Sequence, residues 1–194
     1  MEHQTEHPDN SQRKIITIPN LLSLFRVCLI PVIVWLYIVE ERYFEAGCVL
    51  VLSGVTDIVD GFIARQCHMV SDLGKVLDPL ADKLTQAAML ACLLLRFPLM
   101  TLPLVFLGIK ETCMAVTGAL VIKKTGIVPG AVWHGKAATL LLYTTMLFHI
   151  FWPEMPPTMS VTLIVACTMM IGISFVLYMV RNIKLLRRSK EMMK

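Results

Sequence analysis

Residues 56–83 decide how this chain folds. They open with Thr56-Asp57-Ile58-Val59-Asp60-Gly61-Phe62-Ile63-Ala64-Arg65 and close with Gly74-Lys75-Val76-Leu77-Asp78-Pro79-Leu80-Ala81-Asp82-Lys83. The first block ends one long apolar run and the second begins the next. Four carboxylates at such positions are out of keeping with the rest of the chain. Its 194 residues are 56% hydrophobic and 16% charged, with a mean hydropathy of +0.69. A typical soluble domain is about 25% charged. The composition excludes a disordered chain, a disulfide scaffold and an ordinary soluble enzyme. It points to an all-α integral membrane protein.

Working outward, six apolar windows are long enough to be read as membrane-crossing helices, which need about 20 residues each. They fall near Leu21–Val39, Ala46–Ile63, Leu77–Leu95, Leu102–Ile122, Ala137–Phe151 and Val161–Val180. Pro153, Pro156 and Pro157 mark the turn after the fifth. An even number of spans puts both termini on one side. Arg13, Lys14, Arg65, Lys75, Lys123, Lys124 and Lys136 all fall on that side, as do the basic residues from Arg181 to Lys194. The other side has only Arg42 and Arg96. The positive-inside rule makes the first side cytoplasmic, together with both termini and the carboxylate blocks. The chain divides into a polar tail over 1–14, a membrane domain over 15–182 and a basic tail over 183–194. Met1 to Lys14 lacks the apolar core of a secretory signal. The six Cys are scattered with no CxxC pair and read as small apolar filler.

An Asp within a span costs a few kcal/mol, so such residues normally face a cavity and serve a function. Asp57 and Asp60 are spaced i, i+3, and Asp78 and Asp82 i, i+4, so each pair shares a helix face. A short connection makes the two helices antiparallel neighbours, and the four carboxylates then converge. They repel one another unless cations are bound. All-oxygen ligands suit Mg²⁺, Mn²⁺ or Ca²⁺ rather than Zn²⁺. Gly61 and Ala64 extend the same stripe and leave room for a ligand against the backbone, while Arg65 can neutralise a phosphate oxygen. Together these suggest a diphosphate held through metal. The plainer alternatives are an ion-pair network with Arg65, Lys75 and Lys83, and close helix packing at Gly61 and Ala64.

The pattern D-x2-D-G-x2-A-R-x8-G-x3-D-x3-D resembles the hallmark of the CDP-alcohol phosphatidyltransferases. It is matched by Asp57, Asp60, Gly61, Ala64, Arg65, Gly74, Asp78 and Asp82. The resemblance implies a six-helix membrane bundle, commonly a homodimer. It also implies two divalent cations, Mg²⁺ or Mn²⁺, on Asp57, Asp60, Asp78 and Asp82, with Asp82 also the general base. Thr56, Gly61, Ala64, Arg65 and Gly74 would line the CDP-lipid site. The implied donor is CDP-diacylglycerol, with a hydroxyl acceptor, the bilayer as surroundings and no nucleic acid partner.

For the acceptor, Ile18-Pro19-Asn20-Leu21-Leu22-Ser23-Leu24-Phe25-Arg26 and Leu29-Ile30-Pro31 are similar to the bacterial phosphatidylglycerophosphate synthases. Those enzymes use sn-glycerol 3-phosphate. Lys110-Glu111 stands where they commonly carry Arg-Glu, and Gly135-Lys136 matches a later Gly-Lys. Lys110 and Lys136 are therefore the candidate holders of the acceptor phosphate. Glu111 is expected to be a poor partner for Lys110, because adjacent residues do not share a helix face. Arg26 and Asn20 are expected to be structural, with Arg26 also able to snorkel to the interface. Trp133-His134 is read as an interface anchor, and His149 has no evident partner. Cardiolipin synthesis with phosphatidylglycerol as acceptor is the nearest rival, followed by inositol phosphate or serine acceptors. A membrane cation transporter is the rival from another class, and it leaves Gly61, Ala64, Arg65 and Gly74 unexplained.

Overall fold

The computed structural model describes residues 18–66, 74–126 and 132–192. Six helices follow one another: α1 (Ile18–Ile38), α2 (Tyr43–Gln66), α3 (Gly74–Leu94), α4 (Thr101–Thr125), α5 (Trp133–Phe151) and α6 (Pro157–Met192). A short 3-10 turn, Pro98–Met100, leads into α4. No strand occurs among the described residues. Among the described residues, three segments are long and apolar enough to cross a membrane: Leu21–Ile38, Pro98–Thr125 and Pro157–Arg187. α2 and α3 are of comparable length but carry the charged residues of the two blocks.

The helix ends follow local chemistry. α4 stops at Gly126, whose φ of 66° is the left-handed conformation that glycine adopts without a Cβ clash. Lys123 and Lys124 lie in its last turn, where cations favour the helix dipole. α6 starts on Pro157, whose missing N–H is not needed there. It continues through Met192, well past the apolar window ending at Val180. α5 is longer than its apolar window, because residues 133–136 form its first turn.

α1 packs along both α2 and α3, while α6 packs along both α4 and α5. α5 also touches α2 and α3, and α3 touches α4, so two three-helix groups close into one bundle. The sequence makes α2 and α3 direct neighbours. Among the described residues, each instead packs against α1. The core is built from helical stripes: Ala138, Leu142, Met146 and Ile150 on α5 are buried, as are Ile164, Cys167 and Ile171 on α6.

Polarity is distributed as in a membrane bundle. Ser23, Arg26, Gln86, Thr145, His149, Ser174 and Asn182 are buried, while Trp35, Phe44, Leu95, Leu140 and Met169 face outward. A soluble monomer rarely exposes so much continuous apolar surface. The buried polar groups find partners across helices. His149 is bonded at both ring nitrogens: Nδ1 donates to the Thr145 carbonyl at 2.7 Å, and Nε2 is 2.9 Å from the Ser160 hydroxyl. It therefore does have partners, and it ties the end of α5 to the start of α6. His134 is also buried rather than anchored at an interface. Its Nδ1 is 3.1 Å from Ser174 Oγ, and its ring meets that of Tyr178 edge-on at 4.6 Å. Trp133 alone of that pair faces outward. Cys92 and Cys167 are buried, whereas Cys28 and Cys48 lie on the exterior. Cys67 lies outside the described residues.

Gly47 marks a close approach of α2 to the end of α5. A Cβ there would lie 2.7 Å from Phe151 Cζ and 2.9 Å from Ile150 Cγ2, whereas one at Gly108 meets nothing within 4 Å. Gly47→Ala should therefore cost about 1–2 kcal/mol, seen as a lower melting midpoint in detergent, because a packed core resists added volume. Gly108→Ala should not destabilise. Equal melting of the two variants would refute the close packing.

Candidate active site

The carboxylates of the two blocks are organised by α1. Arg26 is almost wholly buried, at 2% exposure, and its Nη1 donates to Asp57 Oδ1 on α2. Its Nη2 is 3.9 Å from Asp78 Oδ1 on α3. Ser23, one turn earlier on α1, donates its hydroxyl to the same Asp78 oxygen and accepts from Arg26 Nη2 at 3.5 Å. A buried guanidinium without anions would be strongly unfavourable in an apolar bundle. Asp57 and Asp78 compensate it, and they remain 46% and 37% exposed on their outer sides. Arg26 is thus the central cation of the site and does not snorkel.

Asp82 lies one turn beyond Asp78 and is held from a different direction. Tyr143 on α5 donates its hydroxyl to Asp82 Oδ1 at 2.7 Å, and Gln86 Nε2 donates to Oδ2 at 2.9 Å. Both carboxylate oxygens are engaged, so the group has a fixed orientation. Asp78 and Asp82 both lie close enough to Asp57 to repel it electrostatically. Pro79, between Asp78 and Asp82, is accommodated in the second turn of α3.

A second polar chain runs from Asp82 to α4. Lys83 Nζ is 3.9 Å from Asp82 Oδ2 and 3.2 Å from Glu111 Oε1. Lys110 Nζ in turn lies 2.8 Å from Glu111 Oε1. Glu111 is therefore a partner of Lys110 after all. Both side chains are long, and Lys83 draws the carboxylate into the α3–α4 seam, where buried Lys110 also reaches it. Lys136 is exposed in the first turn of α5 and forms no ion pair among the described residues. Lys110 and Arg181 both act electrostatically on His134, which places positive potential where α4, α5 and α6 meet. The Arg181 guanidinium stacks 4.9 Å over the Tyr178 ring.

Thr56 donates its hydroxyl to the Leu52 and Ser53 carbonyls of its own helix, at 2.9 and 2.8 Å. Asp60, Gly61, Ala64, Arg65 and Gly74 fall within the spans of α2 and α3, but their side chains lie outside the described residues. Among the described residues, no three His, Cys, Asp or Glu side chains form a ready-made metal cage. The donor set nonetheless fits a hard divalent cation, being anionic and all-oxygen, with Asp57 and Asp78 partly open to solvent. The alternative of pairing with Lys83 is present at Asp82, whereas among the described side chains the cation at Asp57 and Asp78 is Arg26.

The sequence profile described as CDP-alcohol phosphatidyltransferase matches residues 16–180. The chain belongs to the CDP-alcohol phosphatidyltransferase family. It is 38% identical over 136 residues to a cardiolipin synthase (CMP-forming) of Streptomyces coelicolor, covering 66% of this chain and 62% of that one. It is 30% identical over 133 residues to the CDP-diacylglycerol–glycerol-3-phosphate 3-phosphatidyltransferase of Aquifex aeolicus, covering 68% and 74%. A cardiolipin synthase (CMP-forming)/mitochondrial hydrolase fusion protein of Schizosaccharomyces pombe is 42% identical over 85 residues, 44% of this chain and 14% of the fusion. The chain thus spans less than two thirds of the S. pombe and S. coelicolor proteins.

Ser23, Arg26, Gln86, Glu111 and Tyr143 complete the site beyond the family pattern. Three of them had a readable signal. Ser23 and Arg26 are spaced i, i+3 inside an apolar helix, and Gln86 continues the Asp78–Asp82 stripe at i+4. Tyr143 had none, since only the tertiary fold brings α5 to Asp82.

Arg26→Ala would leave two carboxylates uncompensated. Because both are partly solvated, the loss should be about 2 kcal/mol, below the range for a fully buried pair. Thermal melting checks this, with Arg26→Lys intermediate. An Arg26→Ala variant as stable as the parent would remove Arg26 from the centre of the site.

Proposed function

We propose that the chain transfers a phosphatidyl group from CDP-diacylglycerol to the hydroxyl of sn-glycerol 3-phosphate, forming phosphatidylglycerophosphate and releasing CMP. The observation that carries this reading is Asp82. It is a carboxylate at one end of the bundle, fixed by Tyr143 and Gln86, beside two carboxylates that are partly open. All six helices cross the bilayer in this reading. Both termini and the site are cytoplasmic, where a soluble nucleotide and a lipid tail can both be accommodated. The basic residues flanking the spans support that orientation, and a homodimer is the proposed assembly.

Asp57, Asp60, Asp78 and Asp82 would hold two Mg²⁺ or Mn²⁺ ions, which supply charge neutralisation on the diphosphate. Arg65 adds a fixed positive charge for the departing CMP. Thr56, Gly61, Ala64 and Gly74 provide the surface along which the nucleotide lies. Asp82 accepts the proton of the acceptor hydroxyl. The acceptor oxygen bonds to the β-phosphorus, the bond from the β-phosphorus to the bridging oxygen breaks, and CMP leaves carrying that oxygen on its α-phosphate. Lys110 and Lys136 are the proposed contacts for the acceptor phosphate, with the positive potential of Arg181 adding to that of Lys110.

A second acceptor, phosphatidylglycerol, is favoured by one feature of the site. Glu111, shared between Lys110 and Lys83, offsets part of the Lys110 charge, which lowers the attraction for a dianionic phosphate monoester relative to a monoanionic diester. The names of the S. coelicolor and S. pombe relatives agree with that acceptor.

Purified protein given CDP-diacylglycerol and Mn²⁺ should release CMP with glycerol 3-phosphate, and Asp82→Asn should release none while melting normally. CMP release with phosphatidylglycerol but not glycerol 3-phosphate would move the assignment to cardiolipin synthesis. Release with neither would reject both. Tyr143→Phe removes one charge-assisted hydrogen bond, worth about 1.5 kcal/mol, so kcat should fall about tenfold with the KM for CDP-diacylglycerol unchanged. A changed KM at constant kcat would contradict a role in holding the base.

A further inference from the structure

The end of the bundle away from the carboxylates is hollowed by residues that the transfer reaction does not use. A cavity of about 300 Å³ is lined by Tyr37 and Ile38 of α1, Glu41 of the α1–α2 loop, Tyr43 of α2, and Leu95 and Arg96 after α3. Its lining is amphipathic in an ordered way. Arg96 places its guanidinium 5.3 Å above the Tyr43 ring, and Tyr37 meets Tyr43 edge-on at 5.0 Å. Ile38 and Leu95 are apolar and exposed, continuing the lipid-facing surface of Trp35 and Phe44.

Glu41 is the unusual residue. Its φ of 53° is left-handed, and it alone among the described non-glycine residues has a positive φ. A turn of this kind ordinarily takes glycine or asparagine, because a side chain is unfavourable there. The turn itself is fixed by backbone bonds from Glu40 to Trp35 and from Arg42 to Leu36. A long acidic side chain adds nothing to those bonds. It does bring a carboxylate to the cavity, where no ion pair joins Glu41 to Arg96 among the described residues. Arg42, by contrast, is matched by Glu45 at 2.7 Å. The cavity therefore offers one anion and one cation to a ligand, with two tyrosines in the same lining. With Glu40 also adjacent, an anionic ligand would be repelled more than a zwitterion.

We propose that this cavity binds the headgroup of a zwitterionic phospholipid bearing a primary ammonium. The phosphate meets Arg96, the ammonium meets Glu41 and the tyrosine rings, and the glycerol end lies on Ile38 and Leu95. This inference rests on the chain lying in a bilayer and not on the transfer reaction. In the orientation proposed above, the site faces the leaflet opposite the carboxylates.

The test uses the full chain in detergent and follows its melting midpoint, so its outcome is independent of turnover. The probes are short-chain phosphatidylethanolamine, short-chain phosphatidylglycerol and free phosphoethanolamine. Phosphatidylethanolamine should raise the midpoint saturably, and the other two should bind about tenfold more weakly, since each lacks either the ammonium or the glycerol end. Arg96→Gln and Glu41→Gln should each weaken phosphatidylethanolamine binding about tenfold. Glu41→Gly relieves the left-handed turn, so it should melt no earlier than the parent without lipid, yet lose the lipid response. Equal responses to phosphatidylethanolamine and phosphatidylglycerol would overturn the proposal. So would a Glu41→Gly variant with the parent's lipid affinity, or free phosphoethanolamine binding as tightly as the lipid.

Discussion

A guanidinium buried in an apolar bundle must be matched by anions, and Arg26 is matched by Asp57 and Asp78 from two other helices. Much of the arrangement follows from that constraint. α1 packs between α2 and α3 because its one buried charge has partners on both. Asp57 and Asp78 are in turn held in place by the guanidinium between them. They can therefore occupy an apolar region despite their mutual repulsion, with their outer faces left open. Ser23 strengthens the same link by bonding both Asp78 and Arg26. The fold and the proposed chemistry thus share one electrostatic centre.

The second constraint is the hydrogen-bonding demand of buried polar groups in a medium without water. Polar side chains along α5 and α6 meet it pairwise: His149 with Ser160, His134 with Ser174, and Tyr178 with the Val132 amide. Asn182 reaches Thr117 across the α4–α6 seam at 3.0 Å. These links hold the second three-helix group together, much as Arg26 holds the first. Tyr143 joins the two groups at Asp82. The proposed base therefore sits where the halves meet, and its orientation depends on both.

Much of this was legible in the sequence, for identifiable reasons. Apolar length marks six helices near their observed places, and three of them among the described residues are long and apolar enough to cross a membrane. The carboxylate blocks were legible because charge inside such a run is rare. The neighbours of α2 were not legible. Loop length alone suggested α3, whereas the burial of Arg26 brought in α1. Arg26 looked like a residue that could reach the interface, since nothing local shows which way a long side chain turns. Helix geometry alone makes Glu111 a poor partner for Lys110, and it does not show Lys83, which reaches the same carboxylate from another helix. Tyr143 lay 61 residues from its partner, a separation that no local periodicity encodes.

The central claim is that the carboxylates around Arg26 form a site for divalent cations that hold a diphosphate. Counting bound Mn²⁺ by electron paramagnetic resonance, with CDP-diacylglycerol present, tests it most directly. The account predicts saturable binding of two Mn²⁺ per chain, lost in large part with Asp78→Asn in a protein that still melts cooperatively. Mn²⁺ binding that does not saturate, or that is unchanged by Asp78→Asn, would contradict it.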